Sequence, residues 1–533
     1  MAVKKQTFMN GVFVIMFSQI LIKVMGFIYR IVLTNFKQFA DQGNSYYGSG
    51  YTVYSFILAI ATMGIPNTIS KLVSEKIAIG DKRGAHRIFK TAMYLFTFIG
   101  VVFALILFFG APFISTKILS NPGVKYTLMA LSPAIIFVAM SAVLRGYFVG
   151  MQNMMEYSKA QIIEQVVNSV LSIVFVVMLL DQTPEIMAAG STLATTIAAS
   201  TAFAYLLIYY NKNKKDIWKE IAQSTKFALE SKKHILKKLI SYVIPISFGS
   251  VVVSLSGIID MVTVISGLQK FGYTLVEANN KFGIILGKVD ILDSIPLSIN
   301  VAFAVALVPF ISSAIAKGRK EEAVSKIKYS LKISTMIALP CAAGLSILAT
   351  PIFKLIFPNA SDGAYLLRIQ AWMVVFAVVA QTIYGSLQGM GKLYVPGLCL
   401  IAGVLVKYLL NVTLIPIYGE IIPAISTVAY QFIACTISFI LLFKYLKQKP
   451  DIYDMFIKPA FATLIMTIAI IISYKLLIKI GIGSNVTTIL TIIIGVIIYI
   501  ISIFKLRILD KNELKQLPFG EKIVNLTTKL KKF

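Results

Sequence analysis

The stretch AMYLFTFIGVVFALILFFGAP, residues 92–112, decides the fold. It carries no charged residue, and coiled at 1.5 Å per residue it reaches about 30 Å, the thickness of a bilayer's hydrocarbon core. It is too long for a barrel strand, and in lipid a single helix satisfies its own backbone polar groups. Similar apolar runs recur at 166–180 with their flanks, at 371–382 and at 460–472. Composition agrees: 57% of the 533 residues are hydrophobic and 14% are charged, where soluble chains carry about 25% charged residues. The chain therefore reads as an all-α polytopic membrane protein, with about fourteen spans.

Net charge is +28. On a soluble domain that excess would suggest nucleic acid, but here its location decides against it. With both termini placed on the cytoplasmic side, most lysines and arginines fall in cytoplasmic segments, as the positive-inside rule requires. The excess thus reports topology and attraction to anionic phospholipids rather than nucleic-acid binding. The N-terminal apolar stretch runs past Lys23 to Leu33 without a small-residue cleavage site, so it is expected to be the first span and not a signal peptide.

The longest interruption, 211–238, holds NKNKKDIWKE and KKHILKK. It predicts a cytoplasmic linker, partly a surface-lying amphipathic helix through Trp218, Ile221 and Phe227. Across it the chain repeats itself. Gly146, Gly150 and Met151 recur at one constant offset as Gly385, Gly389 and Met390, and Pro112 recurs as Pro351. The loop SEKIAIGDKRGAHRIFK has a looser echo in SSAIAKGRKEEAVSKIK. An even number of spans in each half orients the two halves alike. The expectation is two parallel six-helix lobes, 1–210 and 239–445, with a cleft between them. Residues 446–533 add two further spans and a basic tail, in which Ile523, Leu526, Leu530 and Phe533 fall at helical spacing.

A charge near the bilayer centre costs roughly 2.5–3.5 kcal/mol on insertion scales, so each one needs a reason. Gln19, Lys23, Gly26 and Arg30 stack on one face of the first span. That polar, cationic stripe suits an anionic group such as a phosphate or pyrophosphate if it faces the cleft; snorkelling or a structural ion pair is the other reading. Asp260 in the first span of the second half, and Lys288, Asp290 and Asp293 in GKVDILDSIP, are candidates for balancing the stripe or binding a coupling cation. A solvated position at the outer surface would also explain Lys288, Asp290 and Asp293. Arg145 and Glu164 flank a short turn near 152–157 at similar depth, which predicts an intramembrane ion pair. It reads as a hairpin lock, with a direct substrate role as the alternative.

Cys341, Cys399 and Cys435 stand in apolar spans at unrelated spacings, and His86 and His234 lie in cytoplasmic segments away from them. No metal site or catalytic residue is expected, and no cofactor. No G-x-x-x-x-G-K-[ST] motif occurs, so ATP is not the direct fuel. A membrane potential or an ion gradient remains as the energy source. No loop gathers carboxylates or histidines as a transferase would need, so an enzyme is not expected.

RGYFVGMQNMMEYSKAQIIEQVV (145–167) resembles the fourth–fifth span signature of the polysaccharide and lipid II flippases. These are of the stage V sporulation protein B and MurJ type, in the MOP exporter superfamily, whose fold is MATE-like. KVMGFIYR, MGIPNTISKLVSE, IPISFGS, ALVPFISSAIAKG and LVKYLLN carry the resemblance across both halves. It implies alternating access, moving a polyprenyl-pyrophosphate-linked saccharide from the inner to the outer leaflet of the bacterial cytoplasmic membrane. The lipid-linked saccharide and anionic phospholipids are then the partners, and the protein is expected to act as a monomer. The alternative is a MATE-like multidrug or cation antiporter.

Overall fold

The computed structural model describes residues 8–62, 64–151, 153–224, 228, 230–510 and 513–514. The expected tail helix through Phe533, and Phe227 of the linker, lie outside the described residues. The described residues form helices joined by short turns, with no strand among them. Among the described residues, eleven helical stretches are long and apolar enough to cross a membrane, counting 395–446 as one. That stretch holds two helices, α15 (Val395–Tyr418) and α16 (Ile421–Leu446), parted at Gly419, whose φ of +69° suits a residue without a Cβ. Two further helices, α1 (Phe8–Asn35) and α10 (Asp290–Ala316), are 28 and 27 residues long and also have the length to cross.

The chain forms two compact units. The first takes in residues up to Ile291 together with Val404–Ser426. After α1 it contains α2 (Ala40–Ala61), α3 (Ile65–Ala78), α4 (Lys82–Phe113), α5 (Val124–Gly150), α6 (Met154–Met178), α7 (Pro184–Ala222), α8 (Lys232–Phe271) and α9 (Leu275–Ile284). A π-helical turn, Ile285–Val289, joins α9 to α10. Local chemistry sets the helix starts. Asp81 accepts from the Gly84 amide at 2.7 Å to cap α4, Pro184 opens α7, and Thr274 with Glu277 forms a capping box on α9. Inside this unit α5 lies between α4 and α7, α1 packs on α6, and α2 packs on α9.

Residues 211–222 do not form a separate surface helix. They continue α7, because no Gly or Pro interrupts the helix there and Ile217 is buried in an apolar cluster with α3, α4 and α5. Trp218 turns its edge to His86 at 5.3 Å. His86 is 5% exposed and is also ringed by Phe89, Tyr147 and Tyr210, the last stacked on it at 6.4 Å. Neither imidazole nitrogen has a hydrogen-bond partner among the described residues, which costs about 1–3 kcal/mol for a buried polar atom. His86→Phe keeps the aromatic contacts and removes both atoms, so it is expected to stabilise the protein by about 1 kcal/mol. A rise in the melting temperature of detergent-purified protein checks this; a fall would mean that the ring nitrogens are solvated or bonded after all.

The second unit takes in Leu292–Gly403 and the chain from Thr427 on. It holds α11 (Lys320–Ile347), α12 (Ala349–Ile356), α13 (Ala364–Gln370), α14 (Met373–Gly389), α17 (Lys458–Lys479) and α18 (Ser484–Lys505). The two additional helices, α17 and α18, pack on each other, and α17 also packs on α11. Buried Lys332 of α11 ties them down, reaching Asp454 at 2.7 Å and Glu513 at 2.9 Å, while the Tyr499 hydroxyl donates to the Met336 carbonyl.

The internal repeat has a packing counterpart in each unit. A Cβ on Gly150 would meet Val73 and the Ser70 carbonyl of α3 within 3.0 Å. In the second unit, a Cβ on Gly389 would meet Ile311 and the Val308 carbonyl of α10 within 3.0 Å. The repeated glycines thus permit the same close helix approach twice.

Candidate functional site

The polar face of α1 looks onto α6 and α2. Gln19 Nε2 donates to Gln161 Oε1 at 2.8 Å, and a Cβ on Gly26 would lie 3.6 Å from Gln165 Nε2. Lys23 is exposed between them and has no ion-pair partner among the described residues. One turn beyond Gly26, the Arg30 guanidinium lies 4.2 Å above the Tyr47 ring. Its Nη2 donates to the Leu286 carbonyl at 3.3 Å, and its Nη1 is buried with no hydrogen-bond partner among the described residues. Tyr47 is held in place by the Tyr29 hydroxyl at 3.0 Å and by stacking on Tyr51. No carboxylate pairs with Arg30 among the described residues.

Leu286 is positioned by a glycine contact. Gly283 and Gly287 lie four residues apart on the face of α9 and the π-helical turn that meets α2. A Cβ on Gly283 would fall 1.6 Å from the Asp41 carbonyl oxygen, and one on Gly287 would fall 2.3 Å from Asn44 Cγ. Gly283 thus lies against the α2 backbone and Gly287 against the Asn44 side chain, where no Cβ fits without movement. This approach brings Lys288 Nζ to 2.7 Å from Asp41 Oδ1, and Ser45 Oγ to 2.7 Å from Asn279 Oδ1.

The other candidate charges are buried or paired as follows. Lys288 is not solvated at an outer edge: its side chain is 0% exposed and neutralised by Asp41. Asp293, in the second unit, is also fully buried and accepts from Gln370 Nε2 at 3.2 Å. Asp290 is half-buried and has a partner of its own. Asp260 is not a free acid but is paired with Lys407 of α15 at 2.5 Å. A bilayer interior favours such neutralisation, because a lone charge there costs several kcal/mol. Arg145 and Glu164 form an ion pair across the α5–α6 hairpin, whose turn is tighter than the sequence suggests, with α6 starting at Met154.

Asp41, Tyr47 and Lys407 were not singled out from the sequence as site residues. Lys407 carried a signal: an isolated lysine within the apolar run LIAGVLVKYLLN must have a buried counter-charge. Outside the spans, Glu230 accepts from Lys76, which holds its carboxyl below the usual range with help from Lys238.

Chemically, the α1 face can receive an anion: Arg30 offers one unused buried donor, Lys23 a free ammonium, and Gln19 an oriented amide. Residues 8–315 match the polysaccharide biosynthesis protein family, and 290–413 match the MatE family. The chain is 24% identical over 526 residues to the stage V sporulation protein B of Bacillus subtilis, covering 98% of this chain and 99% of that one. It is 26% identical over 422 residues to that organism's lipid II flippase MurJ, covering 76% and 77% of the two chains. Among solved structures it resembles an inward-facing multidrug resistance MATE family transporter, with a TM-score of 0.67 at 16% identity over 81% of this chain and 98% of that one. It also resembles MurJ in an inward closed conformation, with a TM-score of 0.65 at 15% identity over 91% and 97%. The family match over more than half of its length, together with its membrane-spanning helices, places the chain in the polysaccharide biosynthesis protein family as a multi-pass membrane transporter.

Proposed function

We propose that this transporter flips a polyprenyl-pyrophosphate-linked saccharide, lipid II or a related cell-envelope precursor, from the inner to the outer leaflet of the bacterial cytoplasmic membrane. Both termini lie in the cytoplasm, and the protein acts as a monomer. Lobes 1–210 and 239–445 alternate access to the two sides around the linker 211–238. Lys23, Arg30 and Gln19 receive the diphosphate, and a membrane potential or ion gradient supplies the energy. The likeness to a lipid II flippase over most of both chains supports the substrate class.

The observation that carries the reading is Arg30. A guanidinium inside the membrane, without a carboxylate partner among the described residues and with a buried free donor, is costly unless an anion comes to it. Arg30→Ala is expected to lower affinity for a polyprenyl diphosphate by about tenfold or more, since a charge-assisted hydrogen bond is worth about 1.5–3 kcal/mol. Arg30→Lys should retain part of that affinity, as a point charge without the planar fork. Titration of purified variants by native mass spectrometry reads both, and unchanged binding by Arg30→Ala would refute the site. The fold it shares with multidrug MATE transporters keeps a multidrug or cation antiporter as the second reading. Binding of lipophilic cations, with no binding of polyprenyl diphosphate, would favour that one.

A further inference from the structure

α2 is buried from Gly43 to Gly50 and again at Val53 and Tyr54, yet Tyr51 between them is 39% exposed. Tyr51 stands midway along this 22-residue helix, away from the headgroup belts where membrane tyrosines ordinarily sit. Its hydroxyl makes no hydrogen bond to the described residues, whereas a tyrosine hydroxyl inside a protein ordinarily finds a partner. The groups in electrostatic reach of it are Tyr29 and Arg30 of α1 and Glu164 of α6, so it belongs to the polar face that α1 and α6 share and not to a lipid-facing surface.

The ring is fixed in place. It lies parallel to Tyr47, with centroids 5.8 Å and planes 8° apart, and leans on Tyr54 at 5.6 Å. Tyr47 in turn carries the Arg30 guanidinium on its face, so Tyr51 stands one turn of α2 from the ring beside the anion site. Arg145 takes Oε2 of Glu164, and Gln161 and Gln165 bring amides to α1 from the same helix as that carboxylate. A rigid, uncovered aromatic ring beside a carboxylate and planar amides is the chemistry that binds a sugar. A pyranose of gluco configuration holds its substituents equatorial, so its ring faces present axial C–H groups, apolar and weakly positive, to the negative face of an aromatic ring. Its hydroxyls project from the edge, where they accept from amides and donate to carboxylates.

We infer that Tyr51 is a stacking platform for the sugar next to the diphosphate, with Glu164 and Gln165 meeting the hydroxyls of that sugar. The saccharide taken is one of gluco configuration, such as an N-acetylglucosamine unit, because an axial hydroxyl on the stacking face would hold a sugar off the ring. The inference rests on the flippase reading and adds to it the residue that selects the saccharide. Because the ring is stacked before any ligand arrives, little side-chain freedom is lost on binding.

The test compares two lipids on purified full-length protein by native mass spectrometry: a polyprenyl diphosphate, and the same lipid carrying a single N-acetylglucosamine. The readout is the ratio of the two affinities, so any effect of a variant on the anion site cancels. Tyr51→Leu, which keeps apolar bulk without a ring, is expected to lower the preference for the glycosylated lipid by about tenfold. Tyr51→Phe, which keeps the ring, should retain most of that preference. A Tyr51→Leu protein with the native ratio would overturn the platform, as would a Tyr51→Phe protein that loses as much as Tyr51→Leu. Either result, with Arg30-dependent binding of the bare lipid intact, leaves the diphosphate site standing. Native protein that binds neither lipid would overturn the flippase reading and the platform together.

Discussion

Gly283→Ala is expected to destabilise the protein by about 3 kcal/mol or more and to deplete the folded membrane fraction. The new Cβ would lie 1.6 Å from the Asp41 carbonyl oxygen, and a backbone atom has no rotamer by which to step aside. Relief requires α9 to move away from α2 by more than 1 Å, which is about the margin that separates a hydrogen bond from none. That movement would loosen the Lys288–Asp41 pair and the Ser45–Asn279 bond together. Lys288 has no solvent to fall back on, so its share of the penalty is that of an uncompensated buried charge. Gly249→Ala serves as the control, because a Cβ there meets nothing within 4 Å and a helical alanine is favoured over glycine. Thermal melts followed by size-exclusion chromatography compare the two. A Gly283→Ala protein melting with the control would show that α2 and α9 are not held in backbone contact.

The second large effect concerns the α5–α6 hairpin. Arg145→Ala and Glu164→Ala are each expected to cost about 2–3 kcal/mol, because each leaves one partly buried charge facing apolar helices. Arg145 has little else to turn to: its Nε is buried without a partner among the described residues, and its guanidinium sits 6.0 Å from the Tyr157 ring. Glu164 lies within electrostatic reach of Tyr51 and Tyr54, so the loss of Arg145, which leaves Glu164 behind, should be the milder of the two. The double variant Arg145→Leu with Glu164→Leu should recover most of the stability, since matched apolar residues replace a buried pair at little net cost. The interchange Arg145→Glu with Glu164→Arg should recover part of it. Additive losses in this cycle, with no coupling energy, would mean that the pair does not lock the hairpin.

How far each charge could be read from the sequence follows from how far away its partner lies. Arg145 and Glu164 flank one tight turn, so depth counted from that turn places them opposite each other. Asp260 and Lys407 are 147 residues apart, and Lys288 and Asp41 are 247 residues apart, where no local count connects them. The sequence marks Asp260 and Lys288 as charges needing an explanation, and leaves open whether water, a substrate or another side chain provides it. The glycine pair at 283 and 287 is similar: its four-residue spacing signals close helix contact, while many other glycines do so too. The linker misled for another reason. The charges of 211–222 suggest a break from the preceding span, yet the backbone continues as helix because Ile217 has an apolar cluster to enter.

By itself, then, the sequence determined the membrane-spanning helical class, the repeat, the α5–α6 ion pair and the family. Each rests on something local or periodic: apolar length against bilayer thickness, glycines at a constant offset, two charges about a turn, a run of matched motifs. Tertiary structure alone decided which cation meets which carboxylate and which one is left over. Pairing Lys288 with Asp41 and Lys407 with Asp260 takes those two lysines out of play, while Arg30 meets an aromatic ring and a carbonyl and keeps a free donor. The physical reason is that burial makes an unpaired charge expensive wherever the fold puts it, and only the packed helices bring distant carboxylates within reach.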